Sequence, residues 1–216
     1  MLPINGKPMI VNAIEKAIKA NIFDEICVST EDEEIAKIST LSGASVPFIR
    51  PEHLSKDPST IIDVMLHTLE HYQSQDKKYD NICVLLPTAP FVLVKDICTA
   101  YEVFNQHQGN ALLSVSPTEY PPFNAWITVK KDELTLLEPC FPESPYKYIK
   151  STECPATYRS NGAILIVGID AFLKQRTYRS LPMVPYIMPA ERSLDIDTHF
   201  EYEFAKYLAN TNFLDR

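Results

Sequence analysis

Asn81-Ile82-Cys83-Val84-Leu85-Leu86 is an apolar run broken at once by Pro87. No polar residue alternates within it, so it reads as a strand covered on both faces, as in a sheet flanked by helices. Ala111-Leu112-Leu113-Ser114-Val115 and Ala163-Ile164-Leu165-Ile166-Val167 have the same character. Around these runs the period changes. Ile10, Ala13, Ile14, Ala17 and Ile18 fall at helical spacing, 33–42 reads as a helix ending near Gly43, and 60–72 as another with Ile62, Met65, Leu66 and Leu69 inward. Residues 25–30 read as a short strand and 46–50 as extended. Strands alternating with helices predict an α/β fold of three layers, its sheet mostly parallel and its ligand site beyond the strands' carboxyl ends.

One stretch departs from this pattern. From 117 to 157 prolines and aromatics are dense, the helical period is lost, and 125–129 is the main extended signal. The chain therefore reads as one domain, 1–216, carrying an excursion at 117–157. Tyr120, Phe123, Trp126, Phe141, Tyr146 and Tyr148 within it suit burial against a second subunit, which predicts a homodimer; a large loop packed on its own domain is the other reading.

Composition sets the outer bounds. A chain of 216 residues with 45% hydrophobic content can bury a substantial core without staples. Its formal charge of −8 argues against a nucleic-acid or anionic-membrane surface, leaving room only for a local basic pocket. Cys27, Cys83, Cys98, Cys140 and Cys154 form no CxxC pair and are odd in number, which speaks for a reducing, cytoplasmic setting. No apolar run reaches the roughly 18–20 residues that span a bilayer. His67 and His71 share a helical spacing, but without a third ligand they read as a solvated helix surface.

The chemistry concentrates at Arg192-Ser193-Leu194-Asp195-Ile196-Asp197. In a strand, residues two apart share a face, so Asp195 and Asp197 would project together while Leu194 and Ile196 anchor the backbone. Two carboxylates so placed suit Mg2+, which takes one or two protein acids and fills its other positions with water and phosphate oxygens. A plainer reading exists. Thr198 followed by Glu201 forms a capping-box pattern, so one acid would merely favour a helix start.

The order of several segments resembles one family. Asn5-Gly6-Lys7-Pro8, Val28-Ser29-Thr30-Glu31-Asp32, Val46-Pro47-Phe48-Ile49-Arg50-Pro51, Leu86-Pro87-Thr88-Ala89-Pro90, Asn161-Gly162-Ala163 and Arg192 to Asp197 follow the sequence order of the CMP-sialic acid synthetases, the acylneuraminate cytidylyltransferases. The resemblance extends along almost the whole chain. It implies a nucleotide-diphospho-sugar transferase fold and a reaction in which the anomeric hydroxyl of a sialic-type nonulosonic acid attacks the α-phosphorus of CTP, releasing pyrophosphate for surface glycan synthesis. It also implies Asp195 and Asp197 as the catalytic, magnesium-binding acids, Arg50, Ser59 and Thr60 as nucleotide contacts, and Asn161 and Tyr178 as sugar contacts.

The departures are informative. The family begins with a strand and a basic, Gly-containing phosphate loop, and this chain starts just after where that loop is expected, so activity of the form in hand is an open expectation. Leu86, Ala89 and Val92 replace polar residues of the sialic acid enzymes. Thr88-Ala89-Pro90-Phe91 and Thr118-Glu119-Tyr120-Pro121-Pro122 look like the pseudaminic acid branch, whereas 161–163 and 192–197 look like the sialic and legionaminic branches. Ser151 stands near a family arginine that reaches a neighbouring subunit, with Lys147, Lys150 or Arg159 as alternative cations. Two rival readings are a non-catalytic nucleotide-binding or regulatory homologue, and a glycosyltransferase holding a nucleotide-sugar through Asp195 and Asp197.

Overall fold

A computed structural model describes residues 2–107, 110–147 and 149–211, apart from the side chain of Ser151; Tyr148, one of the expected interface aromatics, lies outside them. β1 (Pro3–Ile4) and β2 (Lys7–Pro8) form a short hairpin turned by Asn5 and Gly6, both at positive φ, as such a tight turn requires. α1 (Met9–Ala20) follows and stops at Asn21 in the left-handed conformation. α2 (Glu33–Leu41) is capped by Asp32, whose carboxylate accepts the Glu34 and Ile35 N–H groups at 2.8 and 3.0 Å. α3 (Ile61–Gln73) opens with a Thr60/Asp63 capping box. Then come β3 (Asn81–Leu85), α4 (Val94–His107) and β4 (Ala111–Pro117). The excursion holds a hairpin, β5 (Trp126–Lys131) and β6 (Leu134–Pro139). β7 (Tyr158–Gly168), α5 (Ile169–Gln175), β8 (Met183–Ile187) and α6 (His199–Asn210) complete the chain.

The central sheet has the order β3-β7-β4-β8, with β7 antiparallel to both neighbours and β8 parallel to β4. The α/β architecture is therefore as expected, but the sheet is mixed: β3, β4 and β8 point one way and β7 the other. The cause lies in the connection. β4 and β7 are joined by the hairpin excursion, not a helical crossover, so the chain re-enters the sheet at the end it left. The prolines offer no hint of β8, because Pro185 stands in its middle; β8 tolerates it as an edge strand, where a missing N–H interrupts no further ladder.

Side-chain alternation along β7 builds the three layers. Ile164 and Ile166 join Leu112, Ile97, Ala100 and Phe104 beneath α4, whereas Leu165 and Val167 join Met65, Leu69 and Phe172 of α3 and α5. A third cluster docks α6, with Tyr202, Ala205 and Leu208 packing on Ile4, Phe91 and Ile196.

The strand expected at 25–30 is a correction, and with 45–50 the chain there makes isolated contacts only. These are single parallel bridges, Cys27 to Ser45 and Thr30 to Ile49, and no continuous strand forms. Among the described residues nothing pairs with the outer edge of β3, and a cavity of about 820 Å³ separates it from Cys27, Val28 and Ser29. His67 and His71 also differ from expectation. Both are partly buried, their rings edge-on to Phe48 at 4.6 and 4.9 Å, and no group of three metal-ligating side chains occurs among the described residues.

Candidate active site

Asp195 and Asp197 lie on an irregular extended segment between a short helical turn (Ala190–Arg192) and α6, not on a strand. Their apolar neighbour still anchors them. Ile196 is buried in the α6 cluster, and its N–H donates to the Thr88 carbonyl at 2.9 Å, fixing the segment beside the turn that follows β3. The acids thus sit at the carboxyl ends of β3, β4 and β8, as the open-sheet rule requires.

The capping reading is satisfied by other atoms. Thr198 Oγ1 accepts the Glu201 N–H, and the Glu201 carboxylate accepts the N–H groups of Asp197 and Thr198 at 3.0 and 2.8 Å. Neither aspartate side chain takes part. Asp195 Oδ1 is buried with no hydrogen-bond partner among the described residues, and its carboxylate lies over Gly162, where a Cβ would come within 2.4 Å of Oδ2. Asp197 is exposed. A buried, unpartnered carboxylate oxygen is costly unless a proton donor or a cation meets it, and the bare glycine beneath gives the carboxylate itself the room it occupies. The donor set therefore fits a hard divalent ion such as Mg2+.

Gly162 and Asn161 shape this site from below. Asn161 has no exposed surface, and both ends of its amide are used: Oδ1 accepts from Ser114 Oγ at 2.6 Å, and Nδ2 donates to Ser193 Oγ at 2.9 Å. Expected to face the sugar, Asn161 instead ties β4 and β7 to the segment bearing the acids. Its Asn-Gly partner adopts φ +67°, a conformation that suits glycine.

Arg50, Ser59 and Thr60 all line the 820 Å³ cavity, as do Leu86 and Pro87. Arg50 is held by Ser55, with Nε to Oγ at 2.9 Å, and by an ion pair with Glu31. A hydrogen bond to its own backbone, then Arg50, keeps the Glu31 carboxyl below the usual range. Thr60 is occupied as the cap of α3. The two halves are linked through the turn after β3: Leu86 and Pro87 line the cavity, and the next residue, Thr88, receives the Ile196 N–H on its carbonyl.

Tyr178 is not part of this gathering. It packs with the α3 and α5 cluster just before β8, and β8 enters the sheet at the end where Met183 pairs with Ala111. That is the amino end of β4, the length of β8 away from Asp195. Conversely, Asp96 reaches the segment through Arg192 although it does not stand out in the sequence, and Arg159, an alternative cation in the sequence reading, places Nη2 3.5 Å from the Ser193 carbonyl. Ala89 and Val92, which replace polar family residues, are buried core.

An acid segment beyond the strand ends, joined through Thr88 to a turn that shares a cavity with Arg50, Ser59 and Thr60, suits nucleotidyl transfer on this α/β fold. Solved structures agree in fold. CMP:2-keto-3-deoxy-manno-octonic acid synthetase complexed with CTP matches with a TM-score of 0.66 at 17% identity, covering 96% of this chain and 89% of that one. The 4-diphosphocytidyl-2C-methyl-D-erythritol synthase of Anaerococcus prevotii matches with a TM-score of 0.60 at 12% identity, covering 100% of this chain and 92% of that one.

The model of the cytidylyltransferase family matches residues 1–214, and the chain belongs to that family. It is 35% identical over 208 residues to the pseudaminic acid cytidylyltransferase of Campylobacter jejuni, covering 96% of this chain and 87% of that one. It is 29% identical to the CMP-N,N'-diacetyllegionaminic acid synthase of Legionella pneumophila, with the same coverage. The N-acylneuraminate cytidylyltransferase of Streptococcus agalactiae is 29% identical across 94% of this chain and 47% of its own length.

Proposed function

We propose that this protein is a cytoplasmic enzyme that transfers CMP from CTP to the anomeric hydroxyl of a nonulosonic acid, releasing pyrophosphate. The observation that carries the reading is Asp195, whose carboxylate has a buried oxygen without a partner among the described residues and lies over bare Gly162, on a segment tied to Thr88, the residue that follows Leu86 and Pro87 of the Arg50 cavity. In this reading Arg50, Ser59 and the Thr60 rim take the nucleotide, since a guanidinium donates readily to a base carbonyl or a phosphate. Asp195 and Asp197 would hold Mg2+, which when bound would offset phosphate charge and polarise the attacking oxygen. Glu31 and Ser55 fix the Arg50 fork, and Ile196, Ser193 and Asn161 fix the acids, so the chain supplies orientation more than proton transfer.

Pseudaminic acid is the sugar we expect to react fastest. The greater identity to the pseudaminic acid enzyme favours it, as does the position of 88–91, whose Thr88 carbonyl binds the Asp195 segment and whose Phe91 packs on Ile196. The test is pyrophosphate release with CTP, Mg2+ and, separately, pseudaminic, legionaminic and sialic acids. Release with one of them carries the reading and selects the branch. CTP binding with no release from any of the three points instead to a nucleotide-binding homologue.

A further inference from the structure

Asp96 is a carboxylate with 2% exposure in the first turn of α4. As the third residue of the helix it accepts the Leu93 N–H through Oδ2 at 2.9 Å, a capping task that solvent-facing acids perform equally well. Capping alone gives no reason to bury it. Its burial is explained by what converges on it: Arg192 places Nη2 on Oδ1 at 2.7 Å and Nε on Oδ2 at 3.2 Å, and the Tyr186 hydroxyl donates to Oδ1 at 2.9 Å. A two-pronged guanidinium contact defines orientation as well as distance.

Arg192 is three residues before Asp195. Between them, Ser193 receives Asn161 on its hydroxyl and Arg159 on its carbonyl, and it donates to the Pro189 carbonyl at 2.8 Å. Past Asp195, Ile196 is bound to Thr88. The segment has no ladder of its own, so these side-chain ties decide where its acids point. Burial, then the bond to Asp96, pushes the Tyr186 hydroxyl up to about 12, which keeps it a donor throughout the physiological range.

We propose that Asp96 is a positioning residue for the reaction, holding through Arg192 the segment that presents Asp195 and Asp197. The inference rests on the reading of those acids as the metal site, and its test is built to separate the two. Mn2+ binding, followed by the loss of its free-ion EPR signal, is measured for the unaltered protein, Asp96→Asn, Arg192→Lys and Asp197→Asn, with Phe104→Leu as a core control on the same helix.

Loss of an orienting partner weakens metal binding by about 10–100-fold, and this is the loss expected for Asp96→Asn. Arg192→Lys weakens it in the same direction, because an ammonium cannot make the paired contact. Phe104→Leu lowers Tm and leaves Mn2+ affinity unchanged. Unchanged affinity in Asp96→Asn and Arg192→Lys alongside loss in Asp197→Asn overturns the positioning role and leaves the metal site standing. Unchanged affinity in all three overturns the metal site, and the positioning role with it. If Asp96→Asn does not fold, Arg192→Lys, altered at a residue whose side chain is 26% exposed, decides by the same criterion.

Discussion

At the scale of single residues, Asp195 and Gly162 form one unit. The glycine adopts φ +67° and leaves the volume that the Asp195 carboxylate occupies, 2.4 Å from where a Cβ would stand. Gly162→Ala meets both penalties: a left-handed conformation costing about 1–2 kcal/mol and a carboxylate forced aside. Turnover should fall by far more than the drop in Tm accounts for, which steady-state kinetics and thermal melts on the same preparation will show. Asp197→Asn alters an exposed acid that we propose as a metal ligand. Its fold and Tm should stay close to those of the parent, while magnesium-dependent turnover falls by on the order of 10²-fold or more, exceeding the usual loss for an outer-shell partner. Retention of most activity would remove Asp197 from the metal site.

At the scale of elements, α6 is started by Thr198 and Glu201, and its buried face locks Ile196 beside the acids. Thr198→Ala should lower Tm by about 2–4 °C, the loss of one helix cap in a chain of this size. The effect depends on pH. Glu201 is held below the usual carboxylate range, first by the Thr198 hydroxyl and then by the Asp197 N–H, so its contribution is present at neutral pH and lost as pH falls through the folded-state value. The Tm gap between parent and Thr198→Ala should therefore be wider at pH 7 than at pH 3. The capping box was legible as Thr198-x-x-Glu201 because caps are local. The strand expected for Asp195 and Asp197 was not found, since apolar alternation marks which residues are anchored and not whether a partner strand exists; here Thr88 supplies one bond and no ladder follows.

At the scale of the whole molecule, the β5–β6 hairpin forms a separate two-stranded sheet and carries Trp126, Ile127, Leu134, Leu136 and Leu137, each at least 40% exposed. An isolated hairpin is marginal in water, and a patch of this size favours a partner. If a second copy covers it, Leu134→Glu with Leu137→Glu should convert a dimer to a monomer in sedimentation equilibrium, with little change in helix content. A parent that already sediments as a monomer would assign the hairpin to its own domain. Among the described residues no helix is long and apolar enough to cross a membrane.

The amino-acid sequence by itself determined the elements that depend on near neighbours: three apolar strands, three early helices, the α6 cap, and an acid pair anchored by Ile196. Helical and strand periods and capping patterns act over a few residues, so they survive without knowledge of the fold. Only the tertiary structure decided the reversed direction of β7, the burial of Asn161, the distance of Tyr178 from the acids, and the service of Asp96 to Arg192, 96 residues away. Each of these depends on which elements pack side by side, a choice made by the summed burial of the whole core rather than by any local run.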